Sequence, residues 1–504
     1  MRSTFLRLVE TLAQPRLRTA FVALGLLLFA AIWLLQLSHA SLTPPSDNIE
    51  QLTWVHALQW GYYKHPPLPT WMLWLPVRLF GATAWTTYAT TATLTMAAML
   101  LFWRLLRSLR GAPYANLALL AALCITYYNV RLYYYNHNTV LLVFSTAAAA
   151  LSWKAWCSRQ RRWWAALGLV LGLGLLTKYQ VAVTMSCVLV FWLSRRGWRD
   201  ARQREGLLLA GLVALLVFSP HLEWLRTHDF GPVHYAMESS LDADMGLGNR
   251  LFYSVNWLAD QLLNRALPAW LLLMAALPGW WRGARSSPQT ATPPTPSTLV
   301  DGAASRALLL SWGLVPLVFM PLTCIVTGSG LQMPWGTSFL LFAVPAAMEI
   351  AYPRLRPMRI TWRSAWFAFG LIQAGLLLLN QLSSPLGPAA LQDHHWRAFD
   401  SRRLAAQLAP LARAAAAAAP ICVISGPSKI AGSLALEYPG HPLVLIDGRL
   451  DRSPWLDAQT LRHCSVLELG QGNLAPGAQW VGPAFPDLWW RVASGAAVAQ
   501  SFKH

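Results

Sequence analysis

The chain has 504 residues, 55% of them hydrophobic and 12% charged, where a soluble domain carries roughly 25% charged residues. That balance excludes an ordinary soluble enzyme. The net charge of +19 would suit nucleic acid, but the arginines fall in short segments between apolar blocks, where they read as topology signals and contacts to anionic lipids.

In chain order, Arg2, Arg7, Arg16 and Arg18 precede the first apolar run. No convincing small-residue cleavage site follows, so the segment reads as a retained signal-anchor helix with residues 1–18 cytoplasmic. Apolar blocks of about 20 residues cross a bilayer core of about 30 Å as helices. About eleven spans are expected, at 19–37, 82–103, 113–128, 139–156, 163–176, 181–193, 206–224, 257–280, 307–327, 335–350 and 366–382. Basic clusters occupy alternate loops: Arg104/Arg107/Arg110, Arg159/Arg161/Arg162, Arg195 to Arg204, Arg282/Arg285 and Arg354 to Arg363. By the positive-inside rule those loops are cytoplasmic, and an odd number of spans puts the C-terminus outside. Residues 19–383 thus form a polytopic membrane domain, broken at 283–305 by a Pro/Ser/Thr-rich stretch expected to be a flexible cytoplasmic loop.

The first external loop (39–81) holds SDNIEQLTWVHALQWGYYKHPPLPTW from Ser46 onward. Asp47 and Glu50 stand three apart, hence on one face of a short helix. Ile49, Leu52, Val55, Ala57 and Leu58 suit a helix lying along the membrane interface. The prolines Pro66 and Pro67 are expected to halt it and to stiffen a turn carrying Tyr62, Tyr63, Lys64 and His65. A capped helix with belt aromatics would explain Asp47 alone. It leaves two acids, a lysine, a histidine and a rigid turn together unexplained.

The second external loop offers Asn136, His137 and Asn138, which suit hydrogen bonding to sugar hydroxyls, beside tyrosines that fit an aromatic belt. The third centres on Lys178 and Tyr179, a pair that snorkels or holds a lipid phosphate. The fourth, 219–250, carries His221, His228 and His234. Their spacing matches no standard ligand signature, so no metal site is assigned, although a divalent metal remains compatible with the acids.

From 393 to 504 a small soluble α/β domain is expected, with an Ala-rich helix over 402–419 and strands at 421–425, 443–446 and 465–469. Cys422 and Cys464, its two cysteines, are either disulfide-bonded or free thiols. Signatures for ATP hydrolysis, nicotinamide chemistry and zinc proteolysis are missing from any sensible context.

The acid pair after the first span, followed by GYYKHPPLPTW, resembles the bacterial protein O-mannosyltransferase-like families, which include aminoarabinose–lipid A transferases and lipopolysaccharide galacturonosyltransferases. YNHNTVLL at 135–142, GLGLLTKYQ at 172–180 and SPHLEWLRTHDF at 219–230 match in the same order. The resemblance implies a mainly α membrane protein of the GT-C fold with an external α/β domain. It also implies a bacterial inner-membrane glycosyltransferase acting on the periplasmic side. The donor would be a polyprenyl (undecaprenyl) phosphate sugar, the acceptor lipid A, another glycan or a protein, and the mechanism inverting. Carried over residue by residue, Asp47 is the catalytic acid, with Glu50 as second acid. Lys64 or His65, and Lys178 with Tyr179, meet the donor phosphate. Tyr62, Tyr63, Asn136, His137, Asn138 and His221 contact substrate. Two departures stand out: Asn48 follows Asp47 where many members have Glu, and Asn136-His137-Asn138 replaces a Pro-Asp pair. A transporter or flippase of a lipid-linked sugar is the competing reading, but it would place polar groups deep in the spans.

Overall fold

The computed structural model describes residues 15–240, 245–277, 302–355, 360–393, 395–416 and 419–500. Arg2, Arg7, Arg282, Arg285 and most of the 283–305 stretch lie outside the described residues.

Long apolar runs fold as long helices, since the bilayer leaves backbone groups no partners but one another. Among the described residues, six are long and apolar enough to cross a membrane: Arg18–His39, Ala84–Arg110, His137–Ser158, Ala201–Thr227, Gly302–Thr327 and Trp362–Leu382. Four shorter apolar helices, Ala112–Ala122, Val181–Ser194, Leu267–Ala276 and Leu340–Ala351, and Arg161–Leu175 meet the other expected spans. Several boundaries move. The helix Ala201–Thr227 absorbs 219–227, so SPHLEWLRT ends a helix rather than opening a loop. Gly302–Thr327 begins inside the expected flexible stretch. The span expected from Trp257 is instead two helices, Leu247–Ala259 and Leu267–Ala276, joined by a π-turn at Asp260–Arg265. There Arg265 pairs with Asp260 at 3.1 Å, and polar groups of that kind end an apolar run.

The chain divides into two compact units. One comprises the described residues up to Leu35 with Ala92–Leu132 and His137–Leu379. Close packing there relies on small residues: a Cβ at Gly168 would collide with the Ala210 carbonyl and lie 2.8 Å from Val213 Cβ. At Gly172 a Cβ would stand 2.6 Å from Val217 Cβ. Four-residue spacing puts both glycines on one helix face, letting Arg161–Leu175 and Ala201–Thr227 approach closely. Gly168→Val is therefore expected to cost about 1–3 kcal/mol through overpacking, read as a lowered midpoint in thermal unfolding of the detergent-solubilised protein. Arg110, taken from sequence as a topology signal, is half-buried in the same unit, gripping the buried Glu349 through two bonds of 2.8 and 3.0 Å.

The other unit comprises Gln36–Thr91, Tyr133–Asn136 and the residues from Asn380 on. Five strands, β1 (Ile421–Gly426), β2 (Leu443–Ile446), β3 (Ser465–Gln471), β4 (Gln479–Gly482) and β5 (Phe485–Ser494), order as β2-β1-β3-β5-β4. The first three run parallel and β5 antiparallel to β3. Alternate strand residues serve opposite faces: Ile424, Val444 and Leu467 pack against the helices Ser401–Ala415 and Ser428–Glu437, while Val423, Leu445 and Val466 pack with Leu461 and Ala499. The Ala-rich helix ends at Ala415, short of the expected Ala419. A disulfide joins Cys422 to Cys464 across a Cα separation of 5.7 Å. Trp54 and Tyr62 of the first external loop are core residues of this unit.

Candidate functional site

The acids sit on the helix Ser46–Trp54, with Asp47 in its first turn, where negative charge is favoured. Residues Asn48 to Trp54 are all buried. The helix expected along the membrane interface is packed within protein from Asn48 on, and at Gly432 of the Ser428–Glu437 helix a Cβ would stand only 2.5 Å from Ile49. The prolines do not halt it either, since it ends at Trp54. Pro67 instead caps a second helix, Leu68–Phe80, as proline's fixed φ allows at a helix start. That helix exposes Leu75, Leu79 and Phe80.

Between the two helices, Tyr62 and His65 exchange backbone hydrogen bonds of 3.0 and 3.2 Å, leaving Tyr63 and Lys64 at the tip of a tight turn. The turn aims Lys64 Nζ at Glu50 Oε1, 2.6 Å away. Tyr63 donates its hydroxyl to the same oxygen at 3.4 Å. Tyr62, expected to meet substrate, is a strut instead: it stacks on Trp54 at 4.6 Å and donates its hydroxyl to the Ala57 carbonyl at 2.9 Å. Burial pushes that hydroxyl up to about 12. The His65 ring lies 6.4 Å from Trp54. Asp47 Oδ2 accepts from Asn136 Nδ2 at 3.2 Å, so the second external loop reaches the acid.

Burial raises the Glu50 pKa above the ordinary carboxylate range, the charge and hydrogen bond of Lys64 oppose the rise, and the Asp47 charge adds to it. Lys64→Met removes the opposition, so the carboxyl rises further. A folded pKa above the unfolded one gives stability that is full at acidic pH and lost as pH climbs through the folded value. The deficit of Lys64→Met against wild type is thus expected to grow from acidic to neutral pH, reaching about 2 kcal/mol. This is less than the 3–5 kcal/mol of fully buried pairs, because the Lys64 side chain is 21% exposed. Thermal unfolding across that pH range checks it.

The second group lies in the other unit. Lys178, between Arg161–Leu175 and Val181–Ser194, donates to Asn138 Oδ1 at 2.7 Å and sits 5.2 Å from the Trp335 ring centre. The Tyr179 hydroxyl and His221 Nε2 are 2.9 Å apart. His221 is fully buried on the Ala201–Thr227 helix, stacked on Trp224 at 5.8 Å. It is placed to orient Tyr179 rather than to face solvent. His137 is buried at the start of His137–Ser158. Among the described residues no three His, Cys, Asp or Glu side chains gather as a metal site.

Sequence reading missed two contributors. Arg452 comes from the turn after β2; its guanidinium lies 5.0 Å from the Tyr63 ring centre and 2.8 Å from Asp447. The dense charges of DGRLDR, 447–452, were the available signal. Asn48, noted only as a departure, makes three buried hydrogen bonds.

Residues 64–224 match the family described as dolichyl-phosphate-mannose-protein mannosyltransferase. The matched segment contains Lys64, His65, Asn136, Asn138, Lys178, Tyr179 and His221 and begins after the two acids. No curated protein matches the chain. Among solved structures, ArnT from Cupriavidus metallidurans bound to undecaprenyl phosphate is similar with a TM-score of 0.61 at 15% identity, over 94% of this chain and 99% of that one. The apo state of that protein gives 0.58 at 14%, over 94% and 98%. The chain thus has the ArnT fold, with many apolar helices and a small C-terminal sheet domain, and the family resemblance seen in the loop motifs stands.

Proposed function

We propose that this chain, a multi-pass membrane protein with the ArnT fold and a mannosyltransferase-family segment, is a glycosyltransferase using a polyprenyl (undecaprenyl) phosphate sugar as donor. Its acceptor is an envelope glycan such as lipid A or lipopolysaccharide, modified on the periplasmic side of the inner membrane. Asp47 carries the reading. It is a half-buried acid oriented by an amide, whereas the neighbouring Glu50 is engaged by Lys64. An acceptor hydroxyl or amine attacks the sugar C1, the C1–O bond to phosphate breaks with inversion, and the acceptor proton passes to Asp47. The departing phosphate monoester gains charge, which lysines stabilise; Lys178 is assigned that role, with Lys64 tempered by Glu50. Charge neutralisation falls to the lysines. Tyr63 borders Glu50 and carries the Arg452 guanidinium over its ring, a pairing that suits an anionic, sugar-bearing acceptor.

In vesicles supplied with radiolabelled undecaprenyl-phosphate sugar and lipopolysaccharide, the reconstituted protein is expected to label the acceptor. The product's anomeric configuration should be opposite to the donor's. Donor crossing the bilayer with no labelled acceptor would make the protein a flippase.

A further inference from the structure

Asn48 stands next to the candidate base and is fully buried. Its Nδ2 donates to Thr87 Oγ1 and to the Tyr133 carbonyl, both at 2.8 Å, and its Oδ1 accepts from the Tyr135 backbone N–H at 2.9 Å. Thr87 gives its own hydroxyl proton to the Ala84 carbonyl at 2.7 Å, so toward Asn48 it acts as an acceptor. The position therefore demands two donors and one acceptor on one short side chain, which an amide alone supplies. A carboxylate here would face two oxygen acceptors in a buried place, and alanine would strand three polar groups.

The amide grips the backbone on both sides of Tyr134. One residue before Asn48 and one after Tyr135, Asp47 meets Asn136 at 3.2 Å. The 133–136 segment is also tied down by the Tyr135 hydroxyl, which donates to the Pro69 carbonyl at 2.6 Å, and by the Tyr133 ring, edge-on to Tyr88 at 5.3 Å. Asn48 bonds this segment to the helix that carries the acid.

We propose that Asn48 is a positioning residue: by clamping residues 133–135 against the first-loop helix, it sets the contact between Asn136 and Asp47 and hence the geometry in which Asp47 takes the acceptor proton. The inference rests on the reading of Asp47 as base. A displacement on the scale of 1 Å at a reacting group costs about 100-fold in rate.

The test is a double-mutant cycle in the reconstituted transfer assay. Asn48→Ala is expected to lower kcat by about 100-fold with the donor KM little changed. Asn136→Ala should lower kcat too, and the double variant should be no slower than the slower single, because both act through one contact. Losses that multiply would mean independent loosening of the fold and would overturn the proposal. If Asn48→Ala does not assemble, Thr87→Val removes one of the three bonds. It is expected to give a smaller kcat loss with the same non-additivity toward Asn136→Ala, and wild-type kcat in Thr87→Val would count against the clamp. Asp47→Asn in parallel separates two failures: full transfer by Asp47→Asn rejects the base itself. Full transfer by Asn48→Ala beside an inactive Asp47→Asn rejects the positioning role alone.

Discussion

Asp47→Asn is expected to lower kcat for sugar transfer by about 10²- to 10⁴-fold, the usual worth of a positioned general base, with donor binding largely kept. The substitution removes the basicity and the charge while keeping an oxygen toward the second loop. Asn136 donates its amide to Asp47 Oδ2 at 3.2 Å, and an asparagine oxygen can accept the same bond, so the helix and the second loop keep their register. Glu50→Gln makes the contrast. Its carboxylate already receives the Lys64 ammonium and the Tyr63 hydroxyl, and burial raises its pKa, with Lys64 opposing. Replacing it should release Lys64 and cost stability, with a kcat loss of only about tenfold, at or below the low end of acid–base contributions. Initial rates against donor concentration separate the two acids; wild-type kcat in Asp47→Asn would remove the base from the mechanism.

The spans were legible because apolar length is a local property that the bilayer rewards directly. The face shared by Asp47 and Glu50 was legible for a similar reason, as helical spacing needs no tertiary knowledge. Long-range burial was not. Trp54 reads as a belt aromatic by composition, yet it packs with Leu404, Ile424 and Leu434, hundreds of residues away in sequence. The strands β4 and β5 were missed because Trp480, Pro486, Asp487 and Arg491 interrupt any clean alternation. β5 is held by its antiparallel register with β3, Leu467 opposite Val492 and Leu469 opposite Trp490. At Pro66-Pro67 the chemistry was read with the wrong sign, since proline ends one helix and begins another equally well. Asn48 carries no local signature and Arg452 only its run of charges; what each touches depends on how distant segments are folded together.

Lys178→Met should lower kcat by about 10²- to 10³-fold, the loss seen when one preorganised donor to a developing oxyanion is removed, and should raise the donor KM. Methionine keeps the unbranched stem and discards the charge. What prepares the lysine is its setting: the Asn138 amide oxygen at 2.7 Å orients the ammonium without cancelling its charge, and the Trp335 ring at 5.2 Å favours a cation. Lys64 differs, since Glu50 at 2.6 Å offsets its charge; Lys64→Met should therefore cost less in kcat than Lys178→Met, its main effect being on stability. Lys178→Arg retains charge but places a planar fork where a compact ammonium contacts Asn138, so it should restore donor KM more than kcat. A lysine that merely reached for the membrane surface would tolerate arginine fully and methionine nearly so. The order of kcat across wild type, Lys178→Arg and Lys178→Met therefore decides whether this cation meets the departing phosphate.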